Sequence, residues 1–390
     1  HRRKNKKLKT IKILFISAFC LVTINSIFSQ WQTYYTAGSN ITFIDVCLVD
    51  QNVIWACGTS GTVVRSINGG VSWSLLNIGN TAYACYAIYS ISSNIAWVAV
   101  DFYKRLYKTT NGGINWQEQI VITSGIGGLH FFNQNTGIFI SYDHVYGIDT
   151  SRLYITRNGG TNWYVSPNSP VTSILVEKYL GALDTNFVWI TDNNKIYVLR
   201  GGLDNAWEVH TIDTLNPYIL ASYFSDQNTG YVCDGGIGTQ GFKLFRTTNS
   251  GINWSVYSSD SSTSVISLHF IPNSSLAFVN GGFNIAISTN NGVNWHHKVK
   301  YTYALDSMEL WYMDAFDSNS VWIPANKGRL LKYNINYIGV LPISTQVPAG
   351  FSLSQNFPNP FNPATRISIS LPASGDVSLL IYDINGRLTQ

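Results

Sequence analysis

The stretch Ser66-Ile67-Asn68-Gly69-Gly70-Val71-Ser72-Trp73 returns with small changes along this 390-residue chain. The copies end at Trp73, Trp116, Trp163, Trp207, Trp254 and Trp295. Successive tryptophans are separated by 43, 47, 44, 47 and 41 residues, and the copy that ends at Trp207 is degenerate. A period this regular indicates a repeat architecture in which each copy belongs to one structural unit.

The chemistry of the repeated stretch predicts a hairpin turn. Asparagine bonds the backbone of its own turn and tolerates a left-handed conformation, glycine supplies positive φ, and the leading hydroxyl ties the strand to the turn. The tryptophan then provides a large ring to bury. We therefore assign structural roles to Asn68, Gly70, Asn111, Gly113, Asn158, Gly160, Asn249, Gly251, Asn290 and Gly292, together with the six tryptophans.

A short apolar segment precedes each turn and predicts a buried strand. Seven such segments occur, at 53–58, 95–99, 136–140, 187–190, 230–233, 276–279 and 320–323. Each follows another short strand, so one unit is four antiparallel strands in about 43 residues, the pattern of a β-propeller blade. The sequence thus predicts an all-β, seven-bladed propeller over residues 31–338.

The seventh unit contains three strands and lacks a tryptophan turn. Its third strand is predicted at 329–333, and Trp31 lies 42 residues before Trp73. We expect residues 31–35 to supply the missing outer strand and close the ring, because this pairing covers an edge that would otherwise be exposed.

Composition excludes two classes of protein. The chain is 45% hydrophobic, 14% aromatic and 12% charged, so it is too apolar for intrinsic disorder. The net charge of +4 arises in residues 1–30, which carry seven Lys or Arg and no acid and leave 18 basic against 21 acidic groups. Without a basic surplus to neutralise phosphates, the body is not expected to bind nucleic acid.

Residues 1–30 predict an export signal. A basic segment precedes an apolar run of about 12 residues, the length of a signal-peptide core. An uncleaved anchor is the alternative. No other apolar run approaches the length of a membrane span, so none is expected in the mature chain. The chain starts with His1 and is expected to be a fragment.

Four cysteines remain after the signal: Cys47, Cys57, Cys85 and Cys233. Their spacing matches no metal-binding pattern, and no metal or other cofactor is expected. A Cys47–Cys57 bridge is possible because both lie on predicted neighbouring strands, but buried free thiols are favoured.

The turn resembles the Asp-box, or BNR, repeat with Asn in place of Asp. The full unit looks most like the propeller family of photosystem II assembly factors. This resemblance covers about residues 31–338; it is specific for the fold and implies little about function.

The composition changes after Tyr337. Residues 339–350 read as a linker, and 351–390 contain Gln355-Asn356-Phe357-Pro358-Asn359-Pro360-Phe361-Asn362-Pro363. This tail is similar to the type IX secretion sorting domain, an Ig-like β-sandwich, and is expected to be incomplete here. The similarity implies the type IX machinery as a partner and the outer-membrane surface or the extracellular medium as destination.

Asp-box propellers include glycosidases, so catalysis must be weighed. A glycosidase needs two carboxylates flanking the scissile bond. Asp45, Asp101, Asp143 and Asp314 could point into a central channel, but Asp45 and Asp314 are expected at strand ends or turns. His130 and His269 occupy equivalent strand positions, which favours a repeated structural role.

Recognition is predicted instead on the rim opposite the tryptophan turns, because loops on a rigid scaffold commonly carry binding residues. A long loop at 141–151 and another at 234–241 account for the two 47-residue spacings. The candidate binding residues are Tyr103, Arg105, Tyr142, Asp143, His144, Tyr146, Asp192, Asn193, Tyr301 and Tyr303. We expect a non-catalytic protein that binds a glycan, protein or matrix component; the alternatives are a hydrolase acting on extracellular polysaccharide and an assembly scaffold.

Overall fold

A computed structural model describes residues 31–79, 83–100, 105–121, 125–145, 148–170, 180–212, 219–235, 241–300, 309–333, 352–353 and 369–370. Over these ranges the regular elements are β-strands. The described part of the chain contains no helix long and apolar enough to cross a membrane.

Seven sheets of four or five antiparallel strands form the blades. Numbered in chain order, the strands are β1 (Trp31–Thr36); β2 (Phe43–Leu48), β3 (Ile54–Gly58), β4 (Thr62–Ser66) and β5 (Ser74–Asn77) in blade one; β6 (Cys85–Ser90), β7 (Ala96–Val100), β8 (Arg105–Thr109) and β9 (Gln117–Val121) in blade two; β10 (Gly125–Phe131), β11 (Gly137–Val145), β12 (Ile148–Thr150), β13 (Leu153–Thr156) and β14 (Tyr164–Val165) in blade three; β15 (Leu180–Asp184), β16 (Phe187–Asp192), β17 (Lys195–Arg200) and β18 (Trp207–Thr211) in blade four; β19 (Ile219–Phe224), β20 (Gly230–Asp234), β21 (Phe242–Thr247) and β22 (Ser255–Asp260) in blade five; β23 (Ser267–Phe270), β24 (Ala277–Gly281), β25 (Asn284–Ser288) and β26 (His296–Lys300) in blade six; and β27 (Asp314–Asp317), β28 (Ser320–Ala325) and β29 (Arg329–Tyr333) in blade seven.

Consecutive strands of the chain are neighbours within the blades, apart from β12, which pairs with β11 only at its extension, and β1, which joins blade seven. This topology confirms the predicted all-β propeller of seven blades. Blade seven is ordered β1-β29-β28-β27, so β1, the first of the described strands, is the outermost strand of this blade and lies beside β29. β1 pairs with β29 from Trp31↔Tyr333 to Thr36↔Arg329.

The hydrophobic core lies between blades. Within the described residues, buried apolar side chains form seven clusters, one at each interface between neighbouring blades. The second strand of each blade supplies the largest rings, and Trp55, Trp97 and Trp322 are fully buried. A strand covered on both faces needs an unbroken apolar run, which is why these segments are recognisable in the sequence.

The repeated turn has the predicted geometry. In blade two, Thr109 Oγ1 accepts the Gly113 N–H at 2.9 Å, and Asn111 Oδ1 accepts the Asn115 N–H at 3.0 Å. The same two bonds recur in blades one, three, five and six. Gly113 has φ of +86°, a left-handed conformation that favours glycine. The motif is therefore a self-bonded turn.

All four cysteines of the propeller are buried free thiols, as favoured from the sequence, and Cys47 and Cys57 are not bridged. The chain divides after Tyr337 into two compact units. In the second unit, Ser352–Leu353 (β30) pairs with Ile369–Ser370 (β31). The rest of the predicted sorting domain and the predicted signal at residues 1–30 lie outside the described residues.

Candidate functional site

The blades have two distinct rims. On the first, which we call the turn rim, each repeated turn bonds the loop between the first two strands of its own blade; the Gly69 N–H, for example, donates to the Asn52 carbonyl at 3.0 Å. On the second, the loop rim, hairpins between the second and third strands bond the connectors to the next blade, as the Ile212 N–H does to Asn194 at 2.8 Å. The repeated turns and the hairpins that bond the connectors therefore lie on different rims.

Basic side chains near the turn rim are bound within the propeller. Arg65 stacks on Trp55 and donates to the Ser93 carbonyl of the next blade at 2.7 Å. Lys108 likewise lies over Trp97 and donates to the Gly159 carbonyl at 3.1 Å. Arg200 and Lys332 repeat the arrangement in blades four and seven. These cations join neighbouring blades at the turns.

Three of the predicted binding residues, Arg105, Asp192 and Asn193, lie on the loop rim. Arg105 begins β8, forms an ion pair with Glu118 at 2.9 Å and lies over the Tyr83 ring. Asp192 and Asn193 form the hairpin between β16 and β17; Asn193 has φ of +52°, and its carbonyl accepts the Ile219 N–H at 3.1 Å. Arg105, Asp192 and Asn193 therefore lie on the same rim.

Blade three differs from the sequence prediction of a long loop at 141–151. β11 continues past the blade and pairs with β12 from Asp143↔Thr150 to Val145↔Ile148, so the segment is a β-ribbon on the loop rim. The backbone of Tyr142, Asp143 and His144 lies in this ribbon. The other four predicted positions, Tyr103, Tyr146, Tyr301 and Tyr303, lie outside the described residues.

A cavity of about 250 Å³ lies on the axis of the propeller and is lined by the first strands of the blades. In each blade, one residue of the first strand pairs with the corresponding residue of the second strand. This pairing identifies equivalent positions in the seven blades. These seven positions, which we call the channel ring, are Cys47, Tyr89, His130, Gly181, Tyr223, His269 and Asp314. All except Gly181 line the cavity.

The carboxylates of the cavity bond the backbone of the next blade. Asp314 Oδ2 accepts the Leu48 N–H at 2.7 Å, and Asp45 Oδ2 accepts the Ile88 N–H at 2.9 Å. Their Oδ1 atoms accept the N–H of the following residue in each strand. Asp314 begins β27, as expected, but the expectation that Asp45 lies at a strand end or turn is wrong, since Asp45 is buried within β2.

Cys47 follows the same geometry, because its Sγ accepts the Ser90 N–H of the next blade at 3.3 Å. Burial and the nearby Asp314 carboxylate raise the pKa of the Cys47 thiol to about 12. The thiol therefore stays protonated near neutral pH and is not a nucleophile.

Two tyrosine–histidine pairs complete the ring. The Tyr89 hydroxyl lies 3.2 Å from His130 Nε2, and the ring centroids are 4.7 Å apart. Tyr223 and His269 repeat this neighbour relation between blades five and six, with centroids 6.4 Å apart. Burial lowers the pKa of His130 to about 4, so the imidazole is neutral at physiological pH. Sequence reasoning found the equivalence of the two histidines but did not place them on the channel.

No group of three or more His, Cys, Asp or Glu in the described ranges is arranged to hold a metal ion. The cavity offers instead two carboxylates, Asp45 and Asp314, and two tyrosine–histidine pairs around a small space. This arrangement can bind a small polar group by hydrogen bonds and charge.

Comparisons with known proteins agree with this fold. Solved structures similar to the chain include YCF48 bound to D1 peptide (16% identity, TM-score 0.60, 78% of this chain and 96% of that one) and YCF48 from Cyanidioschyzon merolae (18%, 0.59, 78% and 99%). An ancestral GH74 enzyme is also similar (16%, 0.56, 92% and 49%). A search of curated proteins found no match. The family described as photosynthesis system II assembly factor YCF48 matches residues 23–334. The chain therefore belongs to the YCF48 family of photosystem II assembly factors.

Proposed function

We propose that this protein is an exported, non-catalytic propeller that binds a segment of a partner protein at its loop rim and channel. The main observation behind the proposal is that the carboxylates lining the cavity bond neighbouring blades to each other. Asp45 and Asp314 each accept an N–H from the neighbouring blade, so both are anchored by the scaffold.

This arrangement favours binding over glycoside hydrolysis. A glycosidase needs one carboxyl group that can donate a proton and a second that attacks or activates water across an open cleft. Here both oxygens of Asp45 and of Asp314 accept backbone N–H groups, so the scaffold itself engages these carboxylates. The cavity of about 250 Å³ is also below the size of pockets that enclose drug-sized ligands.

A protein segment is the favoured ligand for two reasons. One relative in the family was solved with a bound peptide. In addition, the ribbon of β11 and β12 extends from the loop rim. Among the described strands β12 pairs with β11 alone, and its other edge offers main-chain hydrogen bonds to a bound segment. A glycan or a matrix component is the alternative ligand. An assembly scaffold is the alternative role for a propeller that binds a partner protein.

The predicted rim residues are the proposed contacts: Tyr103, Arg105, Tyr142, Asp143, His144, Tyr146, Asp192, Asn193, Tyr301 and Tyr303. We place the protein at the outer-membrane surface or in the medium on the predicted signal at residues 1–30 and the type IX tail at 351–390. Pairing of β1 with β29 supports the proposal that the mature N-terminus closes the ring.

The proposal is tested by probing the full chain against an array of tiled peptides from surface and secreted proteins, and against a panel of polysaccharides. We expect saturable binding to a subset of peptides and no release of reducing ends. Release of reducing ends that is lost in Asp45→Asn or Asp314→Asn would overturn the proposal in favour of a hydrolase. Binding to polysaccharides alone would replace the protein ligand with a glycan.

A further inference from the structure

We propose that the central cavity receives one basic side chain of the bound segment, through its ammonium or guanidinium group. This inference rests on the proposed function and names the chemistry of its ligand. It follows from the charge of the cavity, the nature of its walls and its size.

The cavity carries negative charge. Asp45 and Asp314 line it from adjacent blades, and no Lys or Arg is among its described lining residues. Asp314 uses two acceptor sites for the N–H groups of Leu48 and Ala315, while a carboxylate has about four. A cation that entered the cavity would find acceptor capacity and a favourable potential there.

These carboxylates are not required to join blades. The interface between blades four and five uses a neutral bond, in which Trp189 Nε1 donates to Ser222 Oγ at 3.0 Å. Blades two and three are joined at the ring by the Tyr89 hydroxyl and His130. A buried charge costs more free energy than a buried neutral group. We therefore expect the two carboxylates of the cavity to have a role besides joining blades.

The remaining walls suit a cation. Tyr89 and Tyr223 are among the lining residues, and a positive charge is attracted to an aromatic ring. His130 is neutral near pH 7 and does not supply a competing charge. A volume of about 250 Å³ matches a single side chain better than a sugar chain.

The test uses calorimetry at low salt with the full chain and three capped pentapeptides, in which lysine, norleucine or glutamate is flanked by two glycines on each side. We expect the lysine peptide to bind at least tenfold more tightly than the norleucine peptide and the glutamate peptide not to bind. Asp314→Asn should weaken lysine-peptide binding at least tenfold. Asp317→Asn, on the same strand but outside the cavity lining, is the matched control and should bind like the wild type.

Thermal unfolding establishes that each variant is folded. If Asp314→Asn does not fold, Tyr223→Leu tests the opposite wall and should weaken lysine-peptide binding at least threefold. Equal binding of the three peptides, no binding of the lysine peptide, or wild-type affinity in the folded channel variants would overturn the inference. Array peptides that bind without any basic residue would reject this inference and leave the proposed function intact.

Discussion

The turn rim and the channel ring belong to the same repeated blades. The residues of the turns recur from blade to blade, whereas the residues of the ring differ. At the turns, a hydroxyl, an asparagine and a glycine recur and make the same two hydrogen bonds in five blades. At the channel ring, seven equivalent positions carry five different residue types: Cys, Tyr, His, Gly and Asp.

The difference separates scaffold from recognition. Repetition at the turns reflects a backbone requirement common to blades one, two, three, five and six, because positive φ and self-bonding restrict the choice of residue. The ring has no common backbone requirement, so its residues are free to be selected for the group that enters the channel. Changes at the turns should therefore reduce stability, whereas changes at the ring should alter binding.

The largest expected effect comes from Gly70→Ala. Gly70 has φ of +89°, and an added Cβ would collide with the Trp322 ring of blade seven. Left-handed strain costs about 1–2 kcal/mol and overpacking about 1–3 kcal/mol, so we expect the free energy of unfolding to fall by about 2–5 kcal/mol. Gly79→Ala is the control, since Gly79 has φ of +85° and open space around it. If urea unfolding shows the same loss of free energy of unfolding in Gly70→Ala and Gly79→Ala, the packing of the turn against blade seven is unimportant.

Removing the turn hydroxyl should have the next largest effect. Thr109→Val keeps the shape of the side chain but leaves the buried Gly113 N–H without its acceptor, at a cost of about 1–3 kcal/mol. Thr109→Ser retains the hydroxyl and should lose less than half as much. Urea unfolding of both variants compares them, and similar losses would assign the effect to packing instead of the hydrogen bond.

His130 should make stability depend on pH. Its pKa is about 4 in the folded chain and about 6.5 when unfolded, so the unfolded state binds the proton first as the pH falls. Stability is therefore complete above about pH 6.5 and declines toward pH 4, by about 2–3 kcal/mol. Melting temperatures from pH 7 to 4.5 should fall less steeply in His130→Gln than in the wild type, while His210→Gln, on the outer strand β18, should follow the wild type. Parallel curves for all three proteins would contradict this assignment.

The smallest expected effect concerns the basic side chains of the turn rim. Arg65→Met keeps the packing on Trp55 but loses the bond to the Ser93 carbonyl, which should cost about 1 kcal/mol. Arg152→Met, at an exposed position, should change stability by less than about 0.5 kcal/mol. Equal urea midpoints for the two variants would show that the contact between blades contributes little.

The fold could be predicted because its constraints are local. The Asn and Gly of each turn report a backbone conformation, and the apolar runs report strands buried on both faces. The placement of Asp45 within β2 could not be predicted, because the pairing of β2 with β3 shifts register between Phe43 and Asp45. Such a shift changes which side chains face the axis, and it leaves no clear mark in the sequence.

The candidate site was only partly predictable. The rim position of Asp192 and Asn193 follows from strand order, which the repeat supplies. The ribbon at 141–151 resembled a loop because its strands are short and polar, and only the pairing of β11 with β12 distinguishes the two. The Tyr89–His130 contact joins residues of different blades, and single-sequence reasoning does not align inner strands across an interface.

Hydrogen–deuterium exchange of the full chain, with and without a peptide selected on the array, tests the central claim most directly. The account predicts slower exchange at the loop rim and in the first strands that line the channel, with unchanged exchange at the N–H groups of Gly70, Gly113 and Gly160 in the repeated turns. Protection confined to the turns, with no change along the channel, would contradict it.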